Sequence, residues 1–283
     1  KGKMFKQKSL HILLGGALCL AASTISAQIA VKSGDKIVFM GDTVTRMGNG
    51  RAGFLNLVMS ALEANGVKAV KIPAGGSGHK SNQMLERTER DVIRNAPQIM
   101  VLSCGMCDVQ HGKRGVSLED YKKNMTQIVD RVLAAGIKVY ILTATMITEN
   151  PNHPDNQKLA AYNDFLRTLA KEKSCTLVDV NADMQKQLAD IRTKYPDIKG
   201  NLLTQNGIVM NPLGNIMMAE GILRAFGMTE EQLAKAQPAW NKMSLPQDVY
   251  MSLGEYKALS EKAFQAKQSV PDYLKSMVKK DLQ

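Results

Sequence analysis

Thr43 is the side chain with most chemistry to offer, because of where the sequence puts it. Lys36–Thr45 reads KIVFMGDTVT: an apolar run, Ile37-Val38-Phe39-Met40, then Gly41, then Asp42 and Thr43 at a turn tip. A strand that breaks at Gly into a small hydroxyl residue and then a helix lifts that hydroxyl into a crevice. With a base beside it, such a hydroxyl is a nucleophile. His79 and His111 are the candidate bases. Cys107 is a second candidate nucleophile, a thiol four residues ahead of His111. Asp42 and Asp108 are two carboxylates that a divalent cation would gather.

Each of these readings has a plainer rival. An Asp at a turn tip usually bonds its own backbone, and a loop histidine usually sits on a rim. Cys104 and Cys107 form C-x-x-C, which suggests redox, disulfide or metal chemistry. No second C-x-x-C occurs, and no His stands at a spacing typical of zinc. Packing thiols are therefore expected, with no metal and no cofactor. Cys175 opens an apolar strand and is expected in the core.

The elements that would carry these side chains follow from periodicity. Strands are expected at Ile37–Met40, Val67–Ile72, Gln98–Ser103, Ile137–Thr143 and Cys175–Val180, each a short apolar run. Helices are expected at Phe54–Asn65, Asn82–Arg94, Ser117–Ala135, Gln157–Lys173, Asn181–Arg192 and Pro212–Phe226. Ser117 reads as an N-cap supported by Asp120, and Gly136 as a stop. Glycine-rich Pro73–Lys80, Cys104–Gly115, Asn150–Asn156 and Asn201–Asn211 read as loops. Strands alternating with helices over short connections predict an α/β fold: a doubly wound, flavodoxin-like, five-stranded parallel sheet with helices on both faces. Its site lies at the carboxyl ends of the strands. From Thr229 the pattern is helical only, at Glu230–Trp240, Leu253–Gln268 and Asp272–Lys280, a C-terminal helical extension. The expected division is 1–27, a signal peptide; 28–227, the α/β domain; and 228–283, the extension.

Taken together the strand ends resemble the SGNH, or GDSL-like, hydrolase family of esterases and lipases. Gly41-Asp42-Thr43 stands at the family's Gly-Asp-Ser. Gly78, in Pro73–Gly78, stands at its second-block glycine, and Gly105-Met106-Cys107-Asp108 at its Gly-x-Asn-Asp. Asn206-Gly207-Ile208-Val209, followed by Asn211-Pro212, stands at its Asp-x-x-His. The resemblance covers about 36–226 and includes the NPLGN at 211–215 and the LAAYN at 159–163. It implies the SGNH fold, a Ser–His–Asp triad and an oxyanion hole of two backbone N–H groups and an Asn side chain. It places Thr43, Asn206 and Val209 at the triad positions and Thr43, Gly78 and Cys107 at the oxyanion hole. Asp42, Asp108, His111 and His79 remain as possible ligand-binding groups. Valine accepts no proton, asparagine balances no imidazolium, and a thiol donates weakly. The expectation is a pseudoenzyme whose crevice binds an acylated or acetylated carbohydrate. The alternative is a weak or altered esterase cleaving small O-acyl esters with Thr43.

The small-molecule or carbohydrate ester ligand is what the resemblance implies; bulk properties bear on size, charge and export. The 283 residues are 44% hydrophobic, enough for one sizeable core. The formal charge of +11 falls to +7 without residues 1–27, which hold Lys1, Lys3, Lys6 and Lys8 and no acid. Charge spread along the chain with only 5% aromatics argues against nucleic acid as a partner. Residues 1–27 run basic, apolar, then small at Ile25-Ser26-Ala27. That order predicts a Sec signal peptide, export to the periplasm or beyond, and no membrane span in the mature protein.

Overall fold

The computed structural model describes residues 29–244, 253–268 and 270–283. The expected signal peptide lies outside them. Two units can be distinguished, meeting in sequence at Lys242 and Met243.

The first unit is built on a five-stranded, all-parallel sheet in the order β2-β1-β3-β4-β5. Its elements are β1 (Lys36–Gly41), α1 (Thr43–Met47), α2 (Phe54–Ala64), β2 (Val70–Gly75), α3 (Ser81–Asp91), β3 (Ile99–Ser103), α4 (Met106–Gln110), α5 (Leu118–Ala134), β4 (Lys138–Leu142), α6 (Pro154–Glu172), β5 (Thr176–Val178), α7 (Val180–Lys194), α8 (Pro212–Ala225) and α9 (Glu230–Trp240). The order is that of a doubly wound sheet, and helices flank it. β1 and β3 are buried along nearly their whole length, which is why they read as unbroken apolar runs. Helix α5 shows why these segments are helical. Tyr121, Met125, Ile128, Val129 and Val132 fall on one face and are buried, and Ser117 Oγ accepts the Asp120 N–H at 3.1 Å.

Several boundaries differ from expectation. Strand β2 runs on through Pro73 to Gly75. It is an edge strand, so proline's missing N–H leaves no ladder bond unmade. The expected loop Cys104–Gly115 folds into α4 and a 3₁₀ turn at Gly112–Arg114. Helix α6 starts at Pro154 and not Gln157, because His153 caps it and proline suits a first helical turn. Strand β5 is only Thr176–Val178; Asp179 Oδ1 caps Ala182 and turns Val180 into α7. Helix α3 stops at Asp91, and a 3₁₀ turn covers Ile93–Asn95.

Helix α9 packs on α2: Trp240 Nε1 donates to Leu57 O at 3.1 Å, and Asn65 Nδ2 to Gln232 O at 2.9 Å. The second unit contains α10 (Leu253–Gln265) and α11 (Val270–Asp281). Among the described residues no helix is long and apolar enough to cross a membrane.

Candidate functional site

The strands end level with one another. Gly41 pairs with Gly75 on one side and Ser103 on the other, Ser103 pairs with Leu142, and Leu142 with Val178. The loops that leave them therefore start from one edge of the sheet, and Thr43, Gly78, His79, Cys107, Asp108 and His111 follow β1, β2 and β3 there, whereas Asn206 and Val209 lie on the segment between α7 and α8.

At β1 the turn is tight. A Cβ on Gly41 would overlap the Thr45 side chain, so only glycine lets α1 fold back this closely. Asp42 Oδ1 accepts the Val44 N–H at 2.9 Å and caps α1. Thr43, at the first position of α1, is half-buried, and its hydroxyl makes two contacts. Oγ1 accepts the Gly78 N–H at 2.8 Å and lies 3.8 Å from Cys107 Sγ. Gly78 takes a left-handed conformation, φ +71°, which aims its N–H at that oxygen. The structure thus brings Thr43, Gly78 and Cys107 together, on the loops after β1, β2 and β3.

Asn206 and Val209 are joined to each other instead. Asn206 Oδ1 accepts the N–H groups of Ile208 and Val209, at 3.1 and 3.0 Å. This closes a turn between Thr204 and Met210, which form a bridge. The Asn206 side chain is exposed and serves its own turn. Among the described residues no hydrogen bond joins this turn to Thr43.

The two carboxylates behave as framework. Asp42 is 2% exposed and Asp108 0%, and both carboxylates are bonded to neighbouring backbone or side-chain groups. Asp108 Oδ1 accepts the Ser81 N–H at 2.9 Å and the Ser81 hydroxyl at 2.6 Å, which seats the start of α3 against α4. Its Oδ2 receives the Cys104 thiol at 3.4 Å. Burial pushes the Asp42 carboxyl up to about 7, with a further push from Asp108, and burial raises Asp108 as well. Among the described residues no group of three or more His, Cys, Asp or Glu is placed to hold a metal ion.

The thiols and imidazoles are less ready for chemistry than their types suggest. Burial, then the Asp42 charge, pushes the Cys107 thiol up to about 12, so it stays protonated at neutral pH and is no thiolate nucleophile. Cys104 is buried and also raised, and Cys175 is half-buried. His79 lies against Gly76 with Nδ1 buried and without a partner; burial and the Arg87 charge lower its pKa. His111 caps α4 and flanks Gly78: a Cβ there would sit 3.7 Å from His111 Cε1. Among the described residues neither imidazole bonds Thr43.

Three positioning groups stand outside the expected site residues. Arg87 on α3 is buried and donates to Gly41 O at 2.8 Å and Ala74 O at 2.7 Å, tying the ends of β1 and β2. Glu149, 3% exposed, accepts the Leu202, Leu203 and Thr204 N–H groups and the Thr204 hydroxyl at 2.6–2.8 Å, fixing the start of the last loop. Asn163 brackets Ala144 after β4, accepting its N–H and donating to its carbonyl. The NPLGN run at 211–215 closes the loop's other end. Asn211 Oδ1 caps α8 at Gly214, and Asn215 Oδ1 accepts the Phe54 N–H at 3.0 Å.

The model of the GDSL-like lipase/acylhydrolase family matches residues 35–202. The chain belongs to that family. The match spans the loops of Thr43, Gly78 and Cys107 and ends ahead of Asn206 and Val209. A family relative, an acetylxylan esterase of Geobacillus stearothermophilus, is 23% identical over 219 residues, 70% of this chain and 96% of its own length. The crystal structure of the acetyl xylan esterase AlAXEase superposes with a TM-score of 0.61 at 24% identity, covering 67% of this chain and 98% of that one. An alpha/beta hydrolase enzyme from the metagenome of Lake Arreo, Spain, gives 0.63 at 23% identity, covering 71% and 98%. These likenesses agree with the SGNH-type α/β fold built above.

Proposed function

We propose that this chain is an acetylxylan esterase-like member of the GDSL-like family that keeps the crevice and has lost the hydrolysis. It holds an acylated or acetylated carbohydrate against Thr43 without turning it over. The observation that carries this reading is the company of the Thr43 hydroxyl: a backbone N–H that donates to it and a protonated thiol. Neither is a base. A hydroxyl attacks an ester only as its proton leaves, so this one lacks the first requirement. In this reading Thr43, Asn206 and Val209 stand at the triad positions, and Thr43, Gly78 and Cys107 at the oxyanion hole. Thr43 serves as a hydrogen-bonding group on the crevice floor. The basic, apolar, small order of residues 1–27 supports an exported protein.

The ligand class rests on the acetylxylan esterase among the family relatives. The test is hydrolysis of a chromogenic acetate ester by the protein, with Thr43→Ala as control. Both should match the buffer rate. Turnover well above buffer that disappears in Thr43→Ala overturns the reading.

One observation favours a second reading, a weak or altered esterase with Thr43 as nucleophile. His111 flanks Gly78, whose N–H sits on Thr43 Oγ1. A side-chain rotation that brings the imidazole to Oγ1 would supply a base. Residual turnover lost equally in Thr43→Ala and His111→Ala identifies this case.

A further inference from the structure

Between the segment that follows Thr43 and edge strand β2 lies a pocket of about 440 Å³. It is lined by Thr45, Arg46, Met47 and Asn49 after β1 and by Pro73 and Gly75 of edge strand β2. Arg46 follows Thr43 by three residues on α1, so the two side chains project from neighbouring positions on one helix face. Its guanidinium is exposed and, among the described residues, has no hydrogen bond and no ion pair. Lys71 precedes Pro73 and Gly75 on the same face of β2. Its Nζ donates to Asn49 Oδ1 at 2.7 Å and to Asn56 Oδ1. Both acceptors are neutral amides. The half-buried ammonium is hydrogen-bonded but, among the described residues, has no ion-pair partner, and burial lowers its pKa. Among the described residues no carboxylate lines the pocket. The nearest acid along the chain, Asp42, is buried beneath α1 and bonded to Val44.

A neutral sugar does not need such a wall. One guanidinium in the pocket wall and one ammonium behind it, bonded to the lining residue Asn49, make a field that favours an anionic group, and guanidinium binds a planar carboxylate through two parallel N–H bonds. We infer that this pocket is an anion subsite, and that the glycan held at Thr43 carries a sugar carboxylate, a uronic acid residue, which Arg46 receives with Lys71 behind it. The inference deepens the carbohydrate reading of the crevice and rests on it for the identity of the ligand, though not for the subsite itself.

Two measurements separate the levels. In the first, the side-chain Nε–Hε resonances of arginine are followed by NMR while sodium glucuronate is added. Arg46 should shift saturably, with no shift from glucose and none in Arg46→Gln; an equal response to sodium chloride, or no response, overturns the subsite. In the second, calorimetry compares acetylated xylo-oligosaccharides with and without a uronic acid branch. The acidic ligand should bind about tenfold tighter at low salt, and the advantage should vanish in Arg46→Gln and shrink as salt rises. If the neutral ligand binds and the branch adds nothing, the subsite fails and the crevice reading stands. If neither oligosaccharide binds while glucuronate shifts Arg46, the subsite stands and the crevice reading fails. Arg46 is exposed, so its replacement should leave the melting temperature unchanged, and Lys71→Gln provides an independent variant of the same wall.

Discussion

Two loops of this molecule invite comparison: the β1–α1 turn that displays Thr43, and the 201–211 loop that carries Asn206 and Val209. Both are firmly built. The first is held by the Asp42 cap and by Arg87 on Gly41 O. The second is held by Glu149 at one end and by Asn211 and Asn215 at the other. They differ in what the scaffold presents. The turn offers a hydroxyl in a hydrogen-bonded setting; the loop offers an isopropyl group and an amide spent on its own turn. On the proposed reading, rigid placement and reactive chemistry are separable: the framework that would aim a base is kept where Val209 stands.

The largest expected effect restores the chemistry to that framework. In a hydrolytic triad the general base is worth on the order of 10⁶ in kcat and one oxyanion-hole donor about 10²–10³. The combined variant Thr43→Ser/Cys107→Asn/Asn206→Asp/Val209→His should gain at least about 10³-fold in acetate-ester hydrolysis over its parent. A gain in the first three changes alone, with none added by Val209→His, would mean the loop residues are matched to the wrong positions. The next contrast is in stability. Glu149→Ala strands three backbone N–H groups away from water, and should cost about 3–5 kcal/mol in urea unfolding. Asn206→Ala loses an exposed turn bond and should cost less than about 1 kcal/mol. Equal losses would erase the distinction between scaffold and cargo in that loop.

What the sequence disclosed follows the same division. The five strands were legible because parallel buried strands write themselves as apolar runs, and the blocks at their ends as Gly-containing motifs. Local caps were legible too, as Ser117 shows. Asp108 was not. Its neighbours in sequence suggest a crevice, but its partner Ser81 is 27 residues away and turns it into the seat of α3. Glu149 and Arg87 were silent for the same reason, and Asn163 showed only as the end of the LAAYN run: a buried polar group is explained by the backbone atoms that meet it in space. The β2 boundary moved because Pro73 reads as a breaker, and only membership of the sheet edge makes it harmless.

Asp42 offers a sharper, pH-dependent comparison with an ordinary cap. Its carboxyl titrates near 7 in the folded chain against 3.8 as the reference value. Between those values the native state holds a proton that the unfolded chain has released, so stability falls as pH rises through the window and levels above it. Asp42→Asn keeps an oxygen for the Val44 N–H and removes the titration. The variant should gain on its parent from pH 4 to pH 7.5, by up to about 4 kcal/mol in urea unfolding, an upper bound for a wholly buried group. Asp108 is raised in the same direction and remains in both proteins, so the difference isolates Asp42. A constant difference across that range would mean that Asp42 is ionised in the fold and draws on partners beyond Val44.

The smallest effect bears most directly on what Thr43 is for. If its hydroxyl is a binding group, its present task is to accept the Gly78 N–H. Thr43→Val preserves the β-branched shape and removes that acceptor, leaving the N–H half-buried and unpaired, at about 1–2 kcal/mol. Thr43→Ser keeps the oxygen, sheds one methyl and frees χ1, and should lie within about 1 kcal/mol of the parent. The ordering Ser above Val is the prediction, read from urea midpoints at unchanged slope. The same pair also weighs the proposed crevice: Ser should retain affinity for an acetylated oligosaccharide that Val loses. A Val variant as stable as the parent and as tight toward ligand would leave Gly78 with another acceptor and Thr43 with no task in the site.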